Sequence, residues 1–173
     1  MAADLTIDGA LLRALADHST WFHATLAGPG IRSFIGMHWG SRAPALARLH
    51  DVLDLPEAAR PWGMPEGPGQ PTLYEAEIRT QKPLEIADGL HEVDHLVGEF
   101  LSRGIIGQAQ ATAMLDRELE SFDVLQAHDI DAIVYRNTHE DPGSLSIVPL
   151  TQGVIRLTGV TAIIDTGIER LAQ

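Results

Sequence analysis

Apolar positions recur at helical spacing at Leu11, Leu12 and Leu15, so residues 8–17 (DGALLRALAD) read as a short amphipathic helix. STWFHAT (19–25) and FIGMHWGS (34–41) then read as two strands, joined by a Gly-Pro-Gly turn at 28–30. Helical spacing returns in SRAPALARLHDVLD (41–54), where Ser41 is placed to cap the helix and Pro44 falls in its first turn. Residues 55–71 (LPEAARPWGMPEGPGQP) are too rich in proline and glycine for either rhythm and read as a surface loop. TLYEAEIRT reads as a strand, 90–103 and 107–120 as helices, and SFDVLQAHD as a third, short helix. Strands follow at AIVYRN, SLSIVPL and GVIRL. Strands at both ends with helices between them predict an α+β fold. With 173 residues the chain is the size of one domain, able to bury roughly 70% of its unfolded surface around one core.

Composition narrows the function classes. Hydrophobic residues make up 45% and charged residues 21%, globular values without the continuous apolar run of a membrane span, so no membrane partner is expected. The N-terminal segment has acidic residues where a signal peptide needs positive charge, so the expected location is the cytoplasm of the producing cell, a location compatible with delivery into another cell. With no cysteine, thiolate metal sites and a cysteine nucleophile are excluded. The net charge of -12 is spread along the chain, which argues against duplex DNA as a partner. Arg42 and Arg48 are the local exception, a basic strip able to face an anionic ligand.

That strip adjoins a constellation of aromatic and small residues. His23 lies in the first predicted strand and His38-Trp39 in the second, and Ala24, Thr25, Gly40 and Ser41 follow them. Short side chains let a ligand reach main-chain N–H and C=O groups, and a flat ring can rest on Trp39 or His38; two core strands with partly buried aromatics account for the same pattern. Downstream, DAIVYRN, the acidic loop EDPGS, SIV and TQGVI follow one another. This order resembles the closing half of the ADP-ribosyltransferase fold, notably its bacterial toxin-like and phage-borne members. FHAT resembles the family's H-G-T phrase, MHWGSRAPALAR its second strand and following helix, and LYEAEIRTQKPLEIAD its third strand and turn. Ala24 stands in place of the family's glycine, and Leu145 or Ser146 where many members carry a glutamate.

The resemblance spans residues 20–157, after an N-terminal helical segment at 1–19. It implies a split β-sandwich with helices inserted between the strands, and NAD bound as substrate between two small sheets. It further implies transfer of ADP-ribose to a macromolecular acceptor, a protein, with loss of nicotinamide. Carried over by position, His23 would hold a ribose hydroxyl and the Ala24 backbone the nicotinamide carboxamide, beside Thr25. His38 or Trp39 would flank the ring and Ser41 would support the site. The oxocarbenium-like ribose of such a reaction calls for a carboxylate near the 2′-hydroxyl, for which Glu140 is the first candidate and Asp141 the second. A module of the same fold that binds NAD, a nucleotide or a protein without turnover is the alternative.

HEVDH (91–95) offers a different chemistry, since histidines at i and i+4 on a helix can share a zinc ion while Glu92 serves as base. Leu101 stands where the longer form of that motif has its third histidine, which leaves Glu118 or Glu120 to complete a site, and Asp94 adds a charge that would weaken the metal's electrophilicity. On a helical wheel Leu90, Val93, Leu96, Val97 and Phe100 form the apolar stripe opposite His91, His95 and Glu99, which reads as a solvated face. A zinc hydrolase would retain about one zinc per chain through dialysis and lose it in His95→Ala. A solvated face retains none, and metal analysis of the dialysed protein separates the two.

Overall fold

The computed structural model describes residues 8–56, 59, 70–88, 93–138 and 141–163. Among the described residues, two three-stranded sheets and five α-helices make a mixed α+β architecture. The first sheet runs in the order β1 (Trp21–Thr25), β2 (Thr72–Ile78), β6 (Ile155–Ala162), antiparallel throughout. The second runs β3 (Pro83–Glu85), β4 (Ala132–Arg136), β5 (Leu145–Pro149), with β3 and β4 parallel and β4 and β5 antiparallel. Parallel pairing needs a long crossover. Here α3 (Val93–Ser102), α4 (Gln108–Leu115) and α5 (Ser121–Ala127) provide it.

The core divides by sheet face. Trp21, Tyr74, Ala76, Phe34 and Trp39 pack with Ala132, Val134 and Ile147, and Leu11 and Leu15 of α1 (Gly9–Asp17) complete this group. The opposite face of the second sheet offers Leu84, Tyr135 and Val148 to Phe100, Met114 and Leu125 of the three crossover helices. The second sheet is therefore covered on both sides, which is why all five residues of β5 are buried. α2 (Arg42–Asp54) forms a smaller group with Leu26 through Leu49 and Val52.

Several sequence expectations are met and several are revised. Asp8 caps α1, its Oδ1 accepting from the Ala10 amide at 2.9 Å, but Leu12 of the expected apolar face is exposed. The strand expected at 34–41 shrinks to a two-residue bridge, because Gly36 adopts φ 77 and turns the chain, with the Met37 amide donating to Phe34 O at 3.2 Å. Tyr74 clamps the preceding turn, its hydroxyl donating to Gly28 O at 2.7 Å and accepting from the Ile31 amide at 3.2 Å. Ser41 stands at the N-cap of α2 but makes no side-chain capping bond. The helix expected to reach 120 stops at Leu115, where Arg117 takes φ 59 and the Glu118 amide returns to Ala113 O at 2.8 Å. That six-residue closure is the turn that usually selects glycine. β3 lies where only a turn was expected; the Asp131 carboxylate accepts from the Gln81 amide at 2.7 Å and the Lys82 amide at 3.1 Å, which fixes the approach to it. Of the 55–71 loop, most lies outside the described residues.

A main-chain bridge joins the two sheets. Phe22 and Gly40 exchange main-chain bonds of 2.9 and 3.0 Å, and Trp39 and Ile147 exchange bonds of 2.8 and 2.9 Å. A Cβ at Gly40 would lie 3.2 Å from Ser146 Oγ and 3.8 Å from Leu145 O, so an added side chain would press on the buried Ser146 hydroxyl and force it to shift. Gly40→Val is expected to destabilise the protein by about 1–3 kcal/mol through overpacking. Gly30→Ala, where an added Cβ meets nothing within 4 Å, should stay within about 0.5 kcal/mol of wild type, and urea unfolding of both variants checks this.

Candidate functional site

Beside the Trp39-Gly40 bridge lies a cleft of about 220 Å³, walled by β1, the bridge, α2 and the adjoining strands of the second sheet. Its lining includes His23, Ala24, Thr25, His38, Trp39 and Ser146. The two stretches singled out in the sequence, FHAT and MHW, thus meet in space. Tyr135 and Arg48 also line it; Arg48 was noticed only as a charge, and Tyr135 was not singled out at all. Nothing in the local sequence marks Tyr135, because a tyrosine in a strand reads as core until the neighbouring elements are placed.

His23 shares the inward side of β1 with Trp21 and Thr25, since residues two apart face the same way. Its Nδ1 lies 2.9 Å from the main-chain oxygen of His38. Its ring packs against Trp39 at 5.5 Å and, edge on, against Phe34 at 6.4 Å between centroids. Burial, opposed by the bond to the His38 carbonyl and reinforced by the Arg48 charge, holds His23 below the ordinary 6.5. His38 Nδ1 in turn lies 2.8 Å from the Tyr135 hydroxyl. Ser146, which lines the cleft, and Asn137 are both buried and bonded to each other, Asn137 Nδ2 donating to Ser146 Oγ at 3.0 Å and to Ser144 Oγ at 2.8 Å. Trp39 Nε1–H is buried with no acceptor among the described residues.

The remaining selected residues lie elsewhere or outside the described chain. Thr25 lines the cleft but its Oγ1 accepts from the Ala27 amide at 3.1 Å, which closes the turn after β1. Ser41 is not part of the lining, and neither is Asp141, which sits half-buried in the turn whose Ser144 amide donates to its main-chain oxygen at 2.9 Å. Glu140 lies outside the described residues. Among the described residues, no carboxylate lines the cleft. Of the zinc motif, His91 and Glu92 lie outside the described residues, and His95 is exposed on α3, whose buried face is Val97 and Phe100. Val93, expected in that apolar stripe, is exposed. The described residues hold no group of three or more histidine or acidic side chains placed for a metal, and no helix among them is long and apolar enough to cross a membrane.

A larger hollow of about 440 Å³ lies between α1 and the end of β2, lined in part by Leu12, His18, Glu77 and Arg79. Its polar walls are largely committed: Glu77 pairs with both Arg79 and Arg156, which lowers the Glu77 pKa, and His18 has a main-chain bond to Thr20. It gathers none of the residues selected from the sequence.

No protein-family profile and no curated protein matches the chain. Among solved structures, the chain is similar to one in the crystal structure of the M. tuberculosis MbcT–MbcA toxin-antitoxin complex, with a TM-score of 0.43 and 10% identity over 91% of this chain and 94% of that one.

The two depressed histidines set a pH dependence. Burial also lowers the His18 pKa, against the raising effect of its bond to Thr20. For both, the unfolded chain binds protons that the folded chain refuses, so folding stability is full above 6.5 and falls as pH drops from 6.5 toward the folded pKa values. Urea unfolding between about pH 7.5 and 5 should show this loss, and His23→Gln should reduce its slope.

Proposed function

We propose that this protein is an NAD-dependent mono-ADP-ribosyltransferase acting on a macromolecular acceptor, with an ADP-ribosyltransferase-like split β-sandwich as its scaffold. The observation that carries the reading is the meeting of His23 and Ala24 with His38 and Trp39 in one cleft, tied by the His23 Nδ1 contact to the His38 carbonyl. Two separate phrases of the resemblance, one from each side of the Gly-Pro-Gly turn, become the walls of a single ring-sized space.

The chemistry of the walls suits part of a dinucleotide. A cavity of about 220 Å³ is smaller than the ~300–1,000 Å³ typical of a whole drug-sized ligand, so it takes one ring or sugar while the rest of NAD runs along the rim. Indole and imidazole faces suit the nicotinamide ring. The main chain at Ala24 is the partner proposed for its carboxamide. Arg48 supplies positive charge for a pyrophosphate in a protein whose net charge is -12. Glu140, or Asp141 after it, is the carboxylate proposed to stabilise the ribose cation.

One second reading, a module that binds NAD without turnover, is favoured by Leu145 and Ser146 standing where many members of the resembled family carry a glutamate. Nicotinamide release from NAD, measured with and without lysate for wild type, His23→Ala and Glu140→Gln, tests both. The transferase reading expects release that falls at least about tenfold in each variant, equivalent to about 1.4 kcal/mol or more of transition-state stabilisation. Saturable NAD binding without release would leave the binding module standing instead.

A further inference from the structure

Two imidazoles line the cleft, and His23 has its tautomer determined by its partner. The Tyr135 hydroxyl at His38 Nδ1 can donate or accept. The partner of His23 Nδ1 is a carbonyl oxygen at 2.9 Å, which only accepts, so Nδ1 carries the hydrogen and the neutral ring keeps its lone pair on Nε2. The carbonyl is held still by the residue that follows it, since Trp39 exchanges both main-chain bonds with Ile147. An imidazole oriented by an acceptor at one nitrogen, with a lone pair at the other, is the arrangement that proton-abstracting histidines use.

We infer that His23 is the general base of the site, its Nε2 taking the proton of a hydroxyl nucleophile as that oxygen attacks C1′ of the nicotinamide-bearing ribose. This rests on the NAD reading and reassigns His23, because one lone pair cannot both hold a ribose hydroxyl and receive the nucleophile's proton. In the step, the C1′–N bond breaks and its electron pair passes to the pyridinium nitrogen, so nicotinamide leaves neutral. The C1′–O bond forms from the hydroxyl oxygen, and the O–H proton moves to Nε2 and then to solvent. The sum is NAD⁺ plus ROH giving the O-linked ADP-ribosyl product, nicotinamide and one proton.

The surroundings suit this role. The charged and titratable groups facing His23 are Arg48 from α2, His38 from the bridge segment and Tyr135 from β4; the described lining adds the neutral Ser146 and no carboxylate. Burial and Arg48 keep the ring neutral at and above pH 6.5, which is the working form of a base. The same wall selects the nucleophile. A carboxylate acceptor needs no base, and a guanidinium acceptor would meet the Arg48 charge, whereas a hydroxyl needs its proton removed and carries no charge. Water and a macromolecular hydroxyl share that chemistry.

The test uses the purified full chain with NAD, in water and with methanol added as a second hydroxyl probe, comparing wild type with His23→Gln. Glutamine keeps a hydrogen-bonding group but cannot take up a proton at these pH values. The expected result is ADP-ribose in water, the methyl glycoside with methanol, and a wild-type rate that falls as pH drops below 6.5. At about pH 7.5 His23→Gln should stay folded with a KM for NAD within about threefold and lose about 100-fold or more in kcat, and its profile should lose the acid limb. A raised KM with kcat and the acid limb retained would assign His23 to ribose binding and overturn the base role alone. No nicotinamide release by wild type in water, with methanol or with lysate would overturn the transferase reading and the base role with it. Should His23→Gln fail to fold, long-range ¹H–¹⁵N NMR of the wild-type imidazoles decides: protonated Nδ1 and bare Nε2 at His23 are required, and the opposite tautomer sinks the proposal.

Discussion

The architecture depends on four main-chain hydrogen bonds made by two consecutive residues. Trp39 pairs with Ile147 of the second sheet and Gly40 with Phe22 of the first, so one dipeptide belongs to both sheets, each of which is otherwise built from its own three strands. Amide and carbonyl groups at the boundary between two sheets would be costly to bury unpaired, and the bridge satisfies them. It also brings the backbones so close that Gly40 has Ser146 and Leu145 where a side chain would stand. The cleft is a consequence. The His38 carbonyl that orients His23, the Trp39 ring behind it and Ser146 on the opposite wall all take their positions from this join.

Around that join most polar groups are paired, but a few are not. Asn137 and Ser146 satisfy each other beside the cleft, and Tyr74 ties the Gly28 turn to the buried middle of the first sheet. Trp21 Nε1 and Trp39 Nε1, with His18 Nε2 and His50 Nε2, are buried without a partner among the described residues. Each such group costs about 1–3 kcal/mol of stability when its water is removed. Two of the four pack against the depressed histidines, Trp39 against His23 and Trp21 against His18 at 4.0 Å between ring centroids, and a third belongs to His18 itself. Burial that leaves an indole N–H unpaired is the same burial that drives these imidazoles to the neutral form.

The site and the whole molecule differ in charge. A net charge of -12 repels an anionic ligand at long range, while the described cleft wall carries Arg48 and no carboxylate. At physiological ionic strength the Debye length is about 8 Å, so for the anionic ligand proposed above the global field would act mainly on the approach.

Local order decided what the sequence alone determined. The helices near 8–17, 41–54, 93–102 and 121–127, and the strands at Trp21–Thr25, Thr72–Ile78, Ala132–Arg136 and Leu145–Pro149, were legible because their apolar periods match the face each one buries. The α+β class followed from their order, and His23, His38 and Trp39 stood out as polar or amphipathic groups set among small residues. Tertiary contacts decided the rest. FIGMHWGS alternates like a strand, yet Gly36 turns against the Phe122 ring, 3.1 Å from where its Cβ would be, and only Trp39 and Gly40 keep strand pairing. The three residues of β3 pair only because Asp131 fastens the turn before them, a bond between residues about fifty positions apart. Arg117 and Asp129 end their helices with φ of 59 and 58, positions at which the sequence shows no glycine and packing supplies the reason to turn. The tautomer of His23 belongs to this second class: the residue type announces a proton carrier, but which nitrogen holds the proton was decided by a carbonyl fifteen residues away, fixed in space by the neighbouring sheet.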